Sequence, residues 1–481
     1  MSPRKTVAVA GILLSTFLSA AESTIIATAM PSVVADLGGL ELYGWVGAMY
    51  MLAITVSIPI WGKLADLWGR RPIILAGIAT FLVGSAACGV APTMGTLIAA
   101  RVLQGVGAGG VQPIAMTIVG DMFPPKERAR MQGVFGAVWG VSAIVGPILG
   151  GVIVHALSWR WVFYFNVPFG ILAMLLLAPS LEKRAASAER KPIDVAGAML
   201  LSIAVLALLG GVAGRAPLLL LPLAAVATAL FVWVERKQAE PLVPMDLLRQ
   251  RVIAVSSGIS VVVGGVVTAT VIYLPLFAQS VMRASPTAAG ATVAPMLVGW
   301  PLASALSGRI LLVTGARPLV RTGIALVAVA AIALDLLVHG GASLGALRAT
   351  MFAFGVGMGL ASTANLITVQ DSVPYQRRGV ATAGTMFFRT IGGAVLVGVL
   401  GAVLARSIAG RVPESVLDAL LGPDHGHGLG ADVAPYRAAL QVGMVPLFHV
   451  LAAVAIAGAL VALSYPSVRI GEHELTAQPG E

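Results

Sequence analysis

The chain has 481 residues, 58% of them hydrophobic and only 11% charged, with a mean hydropathy of +0.93. A water-soluble domain of that composition would expose large apolar patches, so a soluble enzyme or binding module is excluded and most of the chain is expected in lipid. The formal net charge of +10 does not point to nucleic acid, because the Lys and Arg are spread over short loops rather than gathered on one basic face.

Crossing about 30 Å of hydrocarbon takes roughly 20 apolar residues in a helix that closes its own backbone hydrogen bonds. Apolar runs separated by polar or Gly/Pro punctuation predict fourteen such spans. They fall near 7–35, 43–64, 72–91, 95–121, 131–156, 161–180, 193–213, 216–234, 252–282, 287–309, 319–339, 344–370, 379–405 and 440–464. An all-α membrane bundle is expected. Met1 to Lys5 and the apolar stretch after it share features with a signal peptide cleaved near Ser19-Ala20-Ala21, but the run continues past an ordinary h-region and more spans follow. The first run is therefore read as a membrane helix. Cys88, the single cysteine, allows no intrachain disulfide.

About 22 of the Lys and Arg, among them Lys5, Lys63, Arg70, Arg71, Lys126, Arg128, Arg377 and Arg378, fall on one side when the spans alternate. The positive-inside rule makes that side the cytoplasm and puts both termini there. Arg101 and Arg389 lie within spans instead.

An internal repeat is visible. GVGAGGVQPIAMTIVGDMFPPKERAR from Gly105 matches GVGMGLASTANLITVQDSVPYQRRG from Gly355, placing Asp121 over Asp371, Pro124 over Pro374 and Arg128 over Arg378. GRRP at Gly69 returns as GARP at Gly315. The spacing predicts two six-helix halves, 1–185 and 246–481, with spans seven and eight as an inserted pair over 186–245.

Several residues in these spans carry chemistry. Glu22 stands near the middle of span one, roughly 22 Å along the helix from Val7. A carboxyl held among apolar helices has its charged form disfavoured, so it can take and release a proton as access alternates; the plainer reading is a neutral Glu hydrogen-bonded to a neighbouring helix. In Gly62-Lys63-Leu64-Ala65-Asp66-Leu67-Trp68-Gly69-Arg70-Arg71 the glycines allow a tight turn, and a carboxylate beside several cations can form a charge lock or cap a helix; a solvated loop is the alternative. Arg101 costs at least ~2.5 kcal/mol in the membrane unless it faces a partner or a wet cavity, so it is expected to point inward. Pro147, with Gly146, Gly150 and Gly151, loosens span five and suits a sliding helix contact. Arg389 lies roughly 15 Å into span thirteen and can pair with Glu22 across the halves when one gate is shut. Gln112, Trp139, Tyr273, Trp300, Asn365, Phe387 and Phe388 are polar or aromatic groups that can line a central cavity. Asp424, His425 and His427 read as a solvated turn rather than a metal site, since no further ligand cluster accompanies them.

These stretches resemble a known family. Gly62 to Arg71 resembles the major facilitator loop signature, with Leu67 in place of its usual arginine; the second copy, Gly308 to Arg317, lacks the Asp. LIAARVLQGVGAG around Arg101 is similar to the family's intramembrane arginine motif, and SAIVGPILGG from Ser142 to its antiporter motif, with Ser142 replacing the first glycine. AESTIIATAMPSV around Glu22, WRWVFYFNVPFGI at Trp159 and the FFRTIGG stretch resemble the fourteen-span drug:proton antiporter branch, in which Asp usually stands where Glu22 does.

The resemblance implies a major facilitator fold of fourteen transmembrane helices and a monomer in a plasma membrane, and the Ala/Gly/Arg-rich composition points to a bacterial source. It implies export of small amphipathic compounds against protons, with no cofactor and no metal. Glu22, Arg101 and Arg389 would couple the proton, and Gly62, Asp66, Gly69, Arg70, Arg71, Asp121, Gly146, Pro147, Gly150 and Gly151 would gate. Export of a specific lipid, siderophore or metabolite is an alternative on the same fold. A membrane enzyme or non-transporting receptor is the other class; no G-x-x-x-x-G-K-[ST] or H-E-x-x-H string supports ATP-driven pumping or zinc-dependent hydrolysis.

Overall fold

The computed structural model describes residues 2–39, 42–182, 194–214, 216–238, 240–341, 343–409, 411 and 434–468. Within them, fourteen helices are long and apolar enough to cross a membrane. These are α1 Pro3–Leu37, α2 Tyr43–Trp68, α3 Arg70–Gly89, α4 Met94–Met122, α5 Pro125–Ala156, α6 Asn166–Ser180, α7 Val195–Val212 and α8 Pro217–Glu235. They continue as α9 Arg251–Ser280, α10 Ala294–Thr314, α11 Ala316–Gly340, α12 Leu344–Asp371, α13 Arg378–Ile408 and α14 Ala434–Leu463.

Local chemistry sets the ends. Thr93 and Thr96 form a reciprocal capping box at the start of α4, and Ser343 caps α12 through the Ala346 N–H at 3.2 Å. Gly69 and Gly315, the paired turn glycines of the repeat, have φ of +90° and +78° and reverse the chain in one residue between α2 and α3 and between α10 and α11. A side chain would be strained in that left-handed backbone. Two predicted spans start differently from expectation. The sixth is entered through a short helix, Arg160–Tyr164, ahead of α6. The tenth begins as Pro286–Gly290 and restarts at Ala294, because Pro295 has no N–H to continue the ladder from the preceding turn.

The fold is the expected major facilitator arrangement, two six-helix halves with α7 and α8 inserted. One core joins α9 to α14 through Val263, Met351, Phe354 and Phe448. Two cores fill α1 to α6, one around Ile74, Phe81 and Ile114 and the other around Ile25, Val33 and Phe163. A fourth, with Ile58, Leu201, Phe231, Leu242 and Phe387, seats the inserted pair against α2 and α13. Leucines and valines such as Leu218 and Val313 point outward, as lipid-facing side chains do.

The halves meet where α2 crosses α13 and where α5 crosses α10. Gly62 lies directly on Gly379 and Ala383, and its counterpart Gly308 lies on Lys126 and Ala129, where an added Cβ would come within 2.6 Å of the Ala129 Cβ. Both close approaches sit at the end of the bundle that carries Asp66, Asp121 and Asp371. Near the other end of α2, open space surrounds Gly44 and Gly47.

Candidate functional site

Glu22 is sealed inside the N-terminal half, only 1% exposed. Its Oε1 lies 2.5 Å from Arg101 Nη1, and its Oε2 accepts from Asn166 Nδ2 at 2.5 Å. Arg101, equally buried, donates from the same nitrogen to Gln104 Oε1 at 2.6 Å, and its guanidinium stacks 3.9 Å from the Tyr50 ring centroid. Ser85 closes the nest by accepting from Gln104 at 3.1 Å and from Asn166 at 2.9 Å. Helices α1, α3, α4 and α6 each supply a polar group that none could hold alone in hydrocarbon. Both carboxyl oxygens of Glu22 are thus engaged inside one half, one by an ion pair and one by a hydrogen bond.

This differs from expectation in one respect: Glu22 does not pair with Arg389. Arg389 instead stacks over Trp300 in the C-terminal half, its Cζ 4.8 Å from the ring centroid, with no ion pair among the described residues. The reason is proximity: Arg101 projects into the same layer as Glu22 from a helix of the same half, so the pair closes locally.

A second polar network locks the halves together. Asp66 accepts the backbone N–H groups of Gly379 at 2.9 Å and Val380 at 2.7 Å, and pairs with Arg70 at 2.6 Å. Arg70 also reaches Asp121 Oδ2 at 3.2 Å and the Tyr375 carbonyl at 2.8 Å. The aligned residues of the repeat then cross over: Arg128 pairs with Asp371 at 3.2 Å, and Arg378 with Asp121 at 3.4 Å. Gln370 adds a hydrogen bond to the Met116 carbonyl at 3.1 Å. With carboxylates and guanidiniums half-buried or buried, the network closes this end of the bundle. On the matching contact, Leu312 occupies the position equivalent to Asp66 and is exposed, so no carboxylate stands there to cap the facing helix.

The sequence pattern of the Major Facilitator Superfamily matches residues 12–397. The chain belongs to the Major Facilitator Superfamily. It is 36% identical over 416 residues to the multidrug transporter protein MdtP of Bacillus subtilis (strain 168), a stretch covering 84% of this chain and 76% of that one. It is 32% identical over 436 residues to the efflux pump dotC of Dothistroma septosporum, covering 86% of this chain and 72% of the pump. Two solved structures share the superfamily fold. The human organic anion transporter MFSD10 (TETRAN) superposes with a TM-score of 0.65 at 15% identity, over 96% of this chain and 100% of its own. The proton:xylose symporter XylE gives a TM-score of 0.67 at 14% identity, over 98% and 99%.

Within the superfamily frame, the other expected residues divide. Gly146 and Gly150 press against Thr24 and Thr28 of α1, and Thr24 Oγ1 donates to the Ser142 carbonyl at 3.1 Å. The antiporter-like motif thus packs α5 on α1 inside one half. Gly151 meets nothing within 4 Å, and Pro147 is exposed. The glycines of α5 that touch the other half are Gly133, Gly136 and Gly140, against Pro301 and Leu297 of α10. Arg71 makes no hydrogen bond or ion pair among the described residues.

Of the expected cavity residues, Gln112, Trp139, Trp300 and Phe388 keep accessible surface. Tyr273 donates to the Val397 carbonyl at 2.9 Å, Asn365 bonds Ser256 and Ser260 at 3.3 Å, and Phe387 packs in the core beside α7. These three hold helices together and are buried, so they do not line open space. Asp424, His425 and His427 lie outside the described residues.

Sequence reading missed the partners that complete each site. Asn166 stands within the WRWVFYFNVPFGI stretch, and a lone Asn in an apolar span is itself a signal of a buried polar contact. At the far end of α1, Asp36 accepts from Trp159 at 3.0 Å and from Arg160 at 2.5 Å. Those two donors hold the Asp36 carboxyl below its usual range.

Proposed function

We propose that this chain exports small amphipathic compounds, drugs among them, in exchange for protons by alternating access. The observation that carries the reading is the Glu22–Arg101 pair: a carboxylate at mid-membrane depth whose only counter-ion within the nest is one guanidinium. Adding a proton to Glu22 removes the attraction and frees Arg101 to change partners, which biases the packing of α1 against α4 and α6. Because Glu22 is 1% exposed, a proton reaches it only when the nest opens. By the positive-inside rule the Asp66 end faces the cytoplasm, and the network there keeps the cytoplasmic gate shut. Relatives named multidrug transporter and efflux pump support the cargo class.

A second reading is export of a particular metabolite. A 32% identical relative belongs to the acurin A biosynthesis cluster of Aspergillus aculeatus and favours it. Both readings are tested by reconstituting the purified chain in liposomes and following substrate-dependent proton movement across a panel of cationic dyes and neutral metabolites. Proton movement with several unrelated dyes is the expected result. Movement with one metabolite alone would replace the multidrug reading, and none with any compound would remove the antiport reading.

A further inference from the structure

Far from the Glu22 nest and the Asp66 network, α11 and α14 bring together Asp335, His339 and His449, with one donor atom of each residue within 4.8 Å of the others. We propose that these three side chains form a binding site for a divalent transition cation of the zinc class, pinning α11 to α14.

Asp335 and His339 stand four residues apart, so both project from one face of α11, and His449 meets them from the antiparallel α14. Arg321 fixes the register of the two helices by donating to the carbonyls of Ala462 and Leu463. His449 lies 13 residues before Ala462 and Asp335 lies 14 after Arg321, so both reach about the same depth, roughly 20 Å from that anchor. That level is about 7 Å from the end of α11 at Gly340, near the membrane interface, where water and an ion can enter.

The contacts present do not satisfy these groups by themselves. Each imidazole nitrogen lies 3.7 Å from an Asp335 oxygen, beyond hydrogen-bond range, and Asp335 Oδ1 is buried without a hydrogen-bond partner. A carboxylate on a membrane helix with a buried, unpartnered oxygen is disfavoured unless something neutralises it. A divalent ion would do so. Zinc holds imidazole nitrogen and carboxylate oxygen at about 2.0–2.2 Å, which puts tetrahedral donors about 3.4 Å apart, so rotation of the side chains, the His339 ring included, has to draw donors now within 4.8 Å of one another together.

The tautomer is also prepared. His339 Nδ1, the nitrogen 3.7 Å from Asp335 Oδ1, also lies 2.7 Å from the Asp335 backbone carbonyl, which can only accept, so Nδ1 carries the proton and Nε2 is the nitrogen left with a lone pair for the ion. Metal-binding histidines are commonly oriented by such a bond from their other nitrogen. The two rings, 41% and 55% exposed, stack with centroids 4.7 Å apart and leave the outer side of the site open for water as a fourth ligand. Two imidazoles and a carboxylate suit zinc, cobalt or nickel rather than calcium or magnesium, which prefer all-oxygen sites.

The test uses tag-free, full-length protein in lipid nanodiscs, with Zn²⁺ followed by calorimetry and Co²⁺ by its visible absorption. One ion per chain is expected at micromolar concentration, with affinity falling at least tenfold in His449→Gln and in His339→Gln, and with zinc raising the Tm of the wild-type protein alone. Unchanged binding in the doubly substituted protein would place the ion elsewhere and overturn the site, as would no binding to the wild type. Should the variants unfold, X-ray absorption at the zinc edge of the wild-type protein decides: two imidazoles with oxygen support the assignment, and any other shell refutes it.

Discussion

Asp66, near the end of α2, accepts the backbone N–H of Val380 at 2.7 Å in the first turn of α13. The carboxylate thus caps a helix of the opposite half, whose own N-cap residue Arg377 provides no side-chain bond. A helix N-terminus carries partial positive charge and unpaired N–H groups, so this one side chain stabilises the contact between the halves both by hydrogen bonding and by charge. Asp66→Ala should remove about 1–2 kcal/mol from the closed form and leave Asp121 as the one carboxylate beside Arg70 among the described residues. That shifts the gate equilibrium roughly 5- to 30-fold toward opening at this end. Spin labels on α2 and α13 would show a second, longer distance; an unchanged distribution would mean that packing at Gly62 alone holds the gate.

The crossed pairs Arg128–Asp371 and Arg378–Asp121 give a separate test of the lock. They are equivalent under the internal repeat, so each half lends its arginine to the other half's aspartate. Arg128→Asp places two carboxylates face to face and should loosen the gate, whereas adding Asp371→Arg restores an attractive pair. A coupling energy of about 0.5–3 kcal/mol is expected from the double-mutant cycle in thermal unfolding. Additive effects would show that the two residues do not act on each other.

Much of this was legible in the sequence, for identifiable reasons. Spans show because a membrane helix needs some twenty apolar residues regardless of its neighbours. Asp121, Asp371, Arg128 and Arg378 show because the repeat duplicates them. Pairings such as Asn166 with Glu22, 144 positions apart, do not show, because nothing in an apolar run states which face of its helix meets which neighbour. The same ignorance of helix rotation explains why Glu22 was expected to pair with Arg389, and why Tyr273, Asn365 and Phe387 were expected around a cavity.

Glu22→Gln separates the coupling role from a structural one. The amide is close in shape and keeps one acceptor, and Arg101 retains Gln104, the Val46 carbonyl and the Tyr50 ring. Insertion and folding should survive, with a stability loss of no more than about 3–5 kcal/mol. Efflux driven by a pH gradient should vanish while substrate exchange without a gradient persists. Arg101→Ala should be the more damaging change, since it leaves a buried carboxylate with Asn166 as its only partner among the described residues. Normal pH-driven efflux by Glu22→Gln would rule out the proposed coupling.

Asp36 sets a pH limit on the opposite end of the bundle. Its carboxyl is held low by the bonds from Arg160 and Trp159, so the folded form binds its proton less readily than the unfolded chain. The contribution is complete above the unfolded value of about 3.9 and is lost as pH falls through the lower folded value. Trp159 fluorescence should therefore be flat from neutral pH down to about 4 and change below it. Asp36→Asn should show the acid-form signal at every pH, and a midpoint near neutrality would assign the change to another group.

Glu235 governs how the inserted pair docks. At the end of α8 it is 2% exposed, and its two oxygens accept the backbone N–H groups of Leu242 at 3.2 Å and Val243 at 3.1 Å. These bonds fold the connecting segment back so that Leu242 fills the core between α7, α2 and α13, and Glu240 beside it pairs with Lys63 at 2.8 Å. Glu235→Ala strips two buried N–H groups of their acceptor, at about 1–3 kcal/mol each, and should release Leu242 from the core. Lys63→Gln, by contrast, touches a partly exposed pair and should cost no more than about 1 kcal/mol. Protease sensitivity between residues 236 and 245 should rise sharply in Glu235→Ala and little in Lys63→Gln. Equal sensitivity in the two variants would show that the ion pair, not the buried carboxylate, holds the segment in place.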